Sequence, residues 1–144
     1  MEQVTAALME WLRGAPGLEA LDNEIICDTP YSLALTLNSV KKMEQHRDIL
    51  GRASLKEELD YALRLVLPLE REDPSGVQEE RSSLDRLTGW VCRRGQGELP
   101  AALGREPTLI MSYPRLEEQR EGVGIYSASI LLTTTFELEE EKWN

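Results

Sequence analysis

The sequence has a single histidine, His46, among its 144 residues, and only two cysteines. A Ser-His-Asp triad would need that histidine beside an orienting carboxylate, but His46 lies in a polar segment and the chain has no serine in a glycine elbow. A zinc site needs three or four Cys, His or carboxylate ligands at short spacing, which this composition does not easily supply. We therefore expect a protein that is not an enzyme and that holds no metal or other cofactor.

The two cysteines, Cys27 and Cys92, are far apart in sequence and neither has a partner at CxxC spacing. We expect both to be small, buried thiols in a reducing cytoplasm, because cytosolic proteins rarely keep disulfides. A disulfide or a nucleophile is the alternative.

Basic residues are scarce as well. Sixteen Lys and Arg against twenty-six Asp and Glu give a formal net charge of −10. Binding to nucleic acid or to an anionic membrane requires neutralising cations, so neither is expected. No apolar run approaches the ~18 residues of a membrane span. The acidic clusters lack a calcium-loop pattern and are interleaved with Lys and Arg, which is typical of a solvated charged surface.

What the sequence does have is one long strand pattern, over 124–139. Its apolar side chains fall at period two, and hydroxyl and carboxylate side chains occupy most of the alternate positions. The pattern predicts a strand with one face on the core and one face toward water or another subunit. At about 15 residues it exceeds the usual strand of about 5–6, so we expect part of it to extend past its own sheet and to pair with a neighbour.

The other elements follow from spacing and turn residues. A helix over the first 13 residues ends at Gly14 to Gly17, and a second helix runs from Asp73 or Ser75 to Arg94. Shorter strands are predicted at 24–27, 31–37, 41–49, 55–69 and 107–113, with a hairpin turn at Gly51-Arg52 and a charged turn at 117–124. The expected fold is α+β, with residues 1–144 in one domain: a single antiparallel sheet with two helices packed on one face, and Trp11 and Trp90 buried between them.

Several short phrases, in this order, resemble the tail-terminator or minor capsid proteins of long-tailed bacteriophages, as found in prophages of Gram-positive bacteria. The matching phrases are Trp11-Leu12 before a Pro16-Gly17 turn, Pro30-Tyr31-Ser32, Trp90-Val91, Glu98 to Leu103, and Tyr126-Ser127-Ala128. The chain departs from that family at Asp48-Ile49-Leu50-Gly51, where a Tyr-x-Asp-Gly-like turn is common.

The resemblance implies a non-enzymatic subunit that assembles into a ring, usually of six copies, at the head-tail junction, with other phage tail or neck proteins as partners. It implies a place in the virion, and in the bacterial cytoplasm during assembly. DNA would pass through the ring without specific binding. We expect the subunit interface to use six polar side chains, Ser129, Thr133, Thr135, Glu137, Arg47 and Lys56. The alternative is a small-ligand-binding or regulatory α+β module without catalysis, which would have one deep apolar pocket.

Overall fold

The computed structural model describes residues 2–15, 32–68, 74–97, 99–120 and 122–137. Within these ranges the chain forms one five-stranded antiparallel sheet and two helices, which confirms the α+β class. The elements are α1 (Glu2–Leu12), β1 (Ser32–Arg47), β2 (Ala53–Pro68), α2 (Pro74–Arg94), a 3-10 turn (Ala101–Leu103), β3 (Arg105–Met111), β4 (Arg115–Arg120) and β5 (Val123–Glu137). The predicted strand at 24–27, with Cys27, lies outside the described residues.

The last strand, β5, is the centre of the sheet. It pairs with β2 from the Ser54–Glu137 pair to the Pro68–Val123 pair. Its other edge is shared by two short strands in series, since β3 pairs near the far end and β4 near the start. The expectation that β5 extends past its own sheet is therefore wrong, because β2 has 16 residues and matches the length of β5.

The strand β1 forms a hairpin with β2 and is an edge strand of the sheet. The sequence predicts two strands here, at 31–37 and 41–49, but the structure has one strand of 16 residues. Two register shifts, between Leu37 and Ser39 and between Lys42 and Glu44, interrupt the pairing with β2. A bulge inserts one extra residue and moves the side-chain alternation to the other face, so the pattern breaks although the strand continues.

The prediction of a charged turn at 117–124 is wrong for most of that segment. Residues Arg115–Arg120 form β4, and the chain reverses around Gly122, whose φ of 83° suits glycine. Most side chains of β4 are exposed, so a strand forms there without the apolar alternation that marks a half-buried strand. Its backbone pairing with β5, rather than burial of its side chains, holds it in place.

Both helices pack on one face of the sheet, as predicted. The core of that face contains alternate residues of β2 and β5 together with helix side chains: Val4, Leu8 and Leu12 from α1, and Leu84, Leu87 and Val91 from α2. The Thr5 hydroxyl lies 3.0 Å from the hydroxyl of Tyr61, which ties α1 to the middle of β2. The strand predicted at 55–69 is present as β2, and its register with β5 confirms that prediction.

Trp11 and Trp90 join the two helices. Their ring centroids are 4.6 Å apart with the planes inclined by 39°. Each ring is half-buried rather than fully buried, and the Arg94 guanidinium lies 5.6 Å from the Trp90 centroid.

We expect Trp90→Ala to lower the free energy of unfolding by about 2–3 kcal/mol, below the about 3–5 kcal/mol typical of fully buried aromatics, because part of the ring stays in water. Urea denaturation measures this change. Met43→Ala, at an exposed apolar position of β1, is the control and should change stability by less than about 0.5 kcal/mol. Equal effects of the two variants would contradict the proposed role of the tryptophan pair.

Candidate functional site

The side of the sheet opposite α1 and α2, which we call the outward face, carries most of the polar side chains expected at an interface. Ser129, Thr133, Thr135 and Glu137 alternate with the buried residues of β5 and therefore share this face. Lys56 on β2 joins them, because it pairs directly with Thr135. Five of the six predicted residues thus lie on one surface.

The surroundings of these five residues mix both charges with hydroxyls. Thr133 pairs with Glu58 on one side and Thr108 on the other, while Thr135 pairs with Lys56 and Arg105. Arg105 also forms an exposed ion pair with Glu137, with 3.5 Å between nitrogen and oxygen. Exposed ion pairs contribute little to stability, so these groups are available to exchange partners in a protein contact.

Arg47 is separated from the other five. It pairs with Ala53, whose side chain is buried at the helix side of the sheet. Its guanidinium donates to the Gly51 carbonyl at 3.1 Å, across the turn between β1 and β2. Arg47 therefore belongs to the hairpin turn rather than to the outward face.

That turn, residues 47–52, which we call the hairpin tip, is held by Asp48. The Asp48 Oδ1 atom accepts from the backbone N–H of Leu50 at 2.9 Å and of Arg52 at 2.8 Å, and Arg52 Nε donates to Oδ2 at 3.0 Å. The backbone hydrogen bond from Arg52 is the main cause that holds the pKa of Asp48 below its ordinary value. The carboxylate is thus ionised at neutral pH and fixes the turn, as Asx turns do.

The fixed turn displays two apolar side chains to solvent. Ile49 is 102% exposed and Leu50 is 71% exposed, the highest values among the large apolar residues of the described chain. Sequence reasoning missed this feature, because it assigned Ile49 to the end of a polar strand. The signal was present as an Asp followed three residues later by Gly, with two apolar residues between them that a tight turn cannot direct into a core.

The outward face also contains a cavity of about 580 Å³, which we call the outward cavity. It lies near the end of the sheet where β4 pairs with β5. Its lining comes from four strands and includes Ala34, Thr36, Ala62, Arg64, Glu117, Glu118, Ile125 and Ser127. The Ser127 hydroxyl donates to Glu117 at 2.6 Å, and Glu118 forms an ion pair with Arg120. The cavity is therefore lined by apolar side chains, two hydrogen-bonded or ion-paired glutamates and one arginine.

The single histidine and Cys92 lie on different elements, β1 and α2, and both are exposed. His46 is exposed on β1, as predicted for a solvated strand residue. Cys92 is a free, exposed thiol, so the expectation that it is buried is wrong; it follows the buried Val91 on the solvent side of α2. Among the residues that the structure describes, no group of three or more His, Cys, Asp or Glu side chains is placed to hold a metal ion.

Among the residues that the structure describes, one carboxylate is buried away from both surfaces. Glu57 is 7% exposed on the helix side of β2, between Lys42 of β1 and Thr134 of β5, and its Oε2 atom has no hydrogen-bond partner. The outward cavity does not include it. Glu57 therefore does not take part in either candidate surface.

No protein-family model and no curated protein sequence matches this chain. In the described part of the chain, no helix is long and apolar enough to cross a membrane.

Proposed function

We propose that this protein is a structural subunit of a long-tailed phage or prophage, a tail-terminator or minor capsid protein that assembles with copies of itself into a ring of six. It works without catalysis, in the virion and, during assembly, in the cytoplasm of the host. The observation that carries the proposal is a hairpin tip that is held by hydrogen bonds to Asp48 and presents Ile49 and Leu50 to water. Exposed apolar side chains on a fixed turn are of use to a protein that binds other subunits.

The outward face supports the same role. A central strand lined by hydroxyls and by exchangeable ion pairs can face water before assembly and a neighbouring subunit afterwards. Rings of this kind also contact other tail or neck proteins, and a mixed polar surface can serve both contacts.

The net charge fits a channel for DNA. Six copies of a chain with a formal net charge of −10 carry −60 in total. A field of this sign repels phosphate, so DNA passing through the ring would not bind to it. The proposed ring thus has no specific affinity for nucleic acid.

The test is a phage that carries Thr133→Lys together with Thr135→Lys. The new ammonium group at 135 would lie between Lys56 and Arg105, its two cross-strand neighbours, and a sixfold ring would contain six copies of that cluster. We expect the subunit to fold, because positions 133 and 135 are partly exposed, but the ring to fail, because the added charges would have to be buried at the contact with the next subunit. Electron microscopy of lysates should show tails of abnormal length and heads without tails.

The matched control adds the same charge on the helical side of the molecule, away from the outward face. Ser82→Lys together with Gln96→Lys alters two exposed positions on α2 and just after it. Phage with this control pair should have normal tails, and circular dichroism should show both double variants folded. Normal tail length and head attachment with the Thr133 and Thr135 variants would show that the outward face is not the interface.

The outward cavity favours a second candidate, a small-ligand-binding module. Its volume of about 580 Å³ lies within the roughly 300–1,000 Å³ range of ligand pockets. This candidate requires that addition of a small molecule changes the NMR chemical shifts of Ala62 and Ser127 while the chain stays monomeric. The ring proposal requires instead that the chain associates with copies of itself and that the outward face becomes covered in the assembly.

A further inference from the structure

We propose that the hairpin tip of one subunit inserts Ile49 and Leu50 into the outward cavity of the next subunit. This contact rests on the self-assembly proposed above and names the two surfaces that make it. It is a head-to-tail contact, in which each copy uses its tip toward one neighbour and its cavity toward the other.

The hairpin tip is already ordered in the free subunit. Two backbone hydrogen bonds to the Asp48 carboxylate and one from the Arg52 side chain fix the turn in the free subunit. A segment that is already ordered loses little conformational entropy on binding. The two apolar side chains gain the full benefit of burial, because they are exposed beforehand.

The cavity matches the tip in size and in lining. A volume of about 580 Å³ equals roughly nineteen water molecules at about 30 Å³ each, which accommodates the eight side-chain carbons of an isoleucine and a leucine. Ala34 and Ala62 leave space above the sheet, and Ile125 adds an apolar contact. Burying two branched aliphatic side chains there would remove water from apolar surface on both partners.

The charges of the two surfaces are also complementary. The tip contains two arginines and one aspartate, Arg47, Arg52 and Asp48, so it has a net positive charge within a chain of −10. The cavity lining contains two glutamates and one arginine, Glu117, Glu118 and Arg64, so its net charge is negative. Such an arrangement guides two copies into one orientation and disfavours contact between two tips or two cavities.

A tip cannot reach the cavity of its own chain. Thr36 is the cavity residue of β1 nearest to the tip in sequence, and Arg47 is eleven residues further along the same strand. At about 3.3 Å per residue the separation is about 35 Å. Two different surfaces this far apart, each binding the other on a second copy, form a heterologous interface, and repetition of that contact closes a ring when the rotation allows.

The sheet edge is a weaker candidate for the same contact. The outer edge of β1 is interrupted by two bulges and carries Lys41 and Lys42 at exposed positions. Bulges and edge lysines are the devices by which proteins discourage edge-to-edge pairing. The tip has neither feature, so it is the better docking element of this hairpin.

The first experiment measures self-association by sedimentation equilibrium. We expect the unaltered chain to associate as its concentration rises, and Ile49→Ser with Leu50→Ser to weaken association roughly 100-fold or more. The control exchanges the two residues, Ile49→Leu with Leu50→Ile, and should retain association because it keeps all eight carbons. Filling the cavity with Ala62→Trp should also block association, whereas Ala102→Trp, at an exposed alanine outside the cavity, should not.

The second experiment identifies the contacting surfaces by disulfide trapping. Cys27→Ser and Cys92→Ser provide a background without thiols. In it, Leu50→Cys chains mixed with Ala62→Cys chains should form mixed disulfide dimers under mild oxidation, and neither variant should cross-link with itself. A chain with both new cysteines should form a ladder of covalent oligomers, because its own two sites are too far apart for a disulfide.

The outcomes separate this inference from the proposed function. Association without the Leu50–Ala62 cross-link overturns tip insertion and leaves assembly through the outward face in place. A chain that stays monomeric up to its solubility limit overturns the inference by itself, and the phage experiment with Thr133 and Thr135 then decides the proposed function. Self-cross-linking of Leu50→Cys chains would indicate a tip-to-tip dimer and would also overturn head-to-tail insertion.

Discussion

Gly104→Ala is expected to destabilise the fold by about 3–5 kcal/mol. Gly104 ends the 3-10 turn with a φ of 102° and a ψ of −166°, a backbone conformation that is essentially restricted to glycine and costs other residues about 1–3 kcal/mol. An added Cβ would also collide with the Thr134 hydroxyl and would lie 2.9 Å from the Thr135 carbonyl oxygen. Overpacking of this kind adds about 1–3 kcal/mol.

The collision is costly because Thr134 cannot move freely. Thr134 is 1% exposed, and its hydroxyl donates to the Leu103 carbonyl at 2.5 Å, which fastens the 3-10 turn to β5 near the C-terminal end of that strand. Displacing Thr134 would break that buried hydrogen bond and would shift the strand that also carries Thr133 and Thr135. We therefore expect Gly104→Ala to reduce assembly as well as stability.

Gly51→Ala is the matched control for this prediction. Gly51 has a φ of 84°, so alanine is strained there too, but no atom lies within 4 Å of the added Cβ. Its cost should be about 1–2 kcal/mol, from the backbone alone. Urea denaturation of both variants gives the difference. Similar losses for the two glycines would mean that the close approach at Thr134 is unimportant.

A sequence pattern reveals a strand when burial of one face imposes a regular alternation of side chains. The strands β2 and β5 were predictable because each buries one face, and burial imposes period-two alternation. The strand β4 was not predictable, because its side chains are exposed and its pairing with β5 leaves no mark on the composition. The central position of β5 also depends on pairing over long sequence separations, which periodicity does not encode.

Some residues of the candidate surfaces were likewise predictable from a strand pattern, whereas others are placed only by the pairing of strands. Ser129, Thr133, Thr135 and Glu137 were certain to share a face once they belonged to one strand. Lys56 joined them only through the β2–β5 register, and Arg47 did not, because its partner Ala53 faces the helices. The outward cavity is formed by four strands that meet in space, so no local sequence pattern could have located it.

Tyr61→Ala is the second substitution expected to have a large effect. Tyr61 is fully buried at the middle of β2, beneath α1, and its hydroxyl lies 3.0 Å from the Thr5 hydroxyl. Removing a fully buried aromatic ring should lower the free energy of unfolding by about 3–5 kcal/mol. Tyr61→Phe keeps the ring and loses only the hydrogen bond, so it should cost about 1 kcal/mol near neutral pH. A Phe variant as unstable as the Ala variant would contradict the view that the ring, rather than the hydroxyl, supplies most of the stability.

The same tyrosine makes the fold sensitive to alkali. Burial raises the pKa of Tyr61 above its ordinary value, and the hydrogen bond with Thr5 opposes this in part. Because the folded state holds the proton more tightly than the unfolded state, the resulting stability is complete below the unfolded pKa of about 10 and is lost as the pH rises through the folded pKa. Urea denaturation at increasing pH should show a decline above about pH 10 that is smaller in Tyr61→Phe, since phenylalanine has no proton to lose. An alkaline decline of the same size in Tyr61→Phe would show that groups other than Tyr61 cause it.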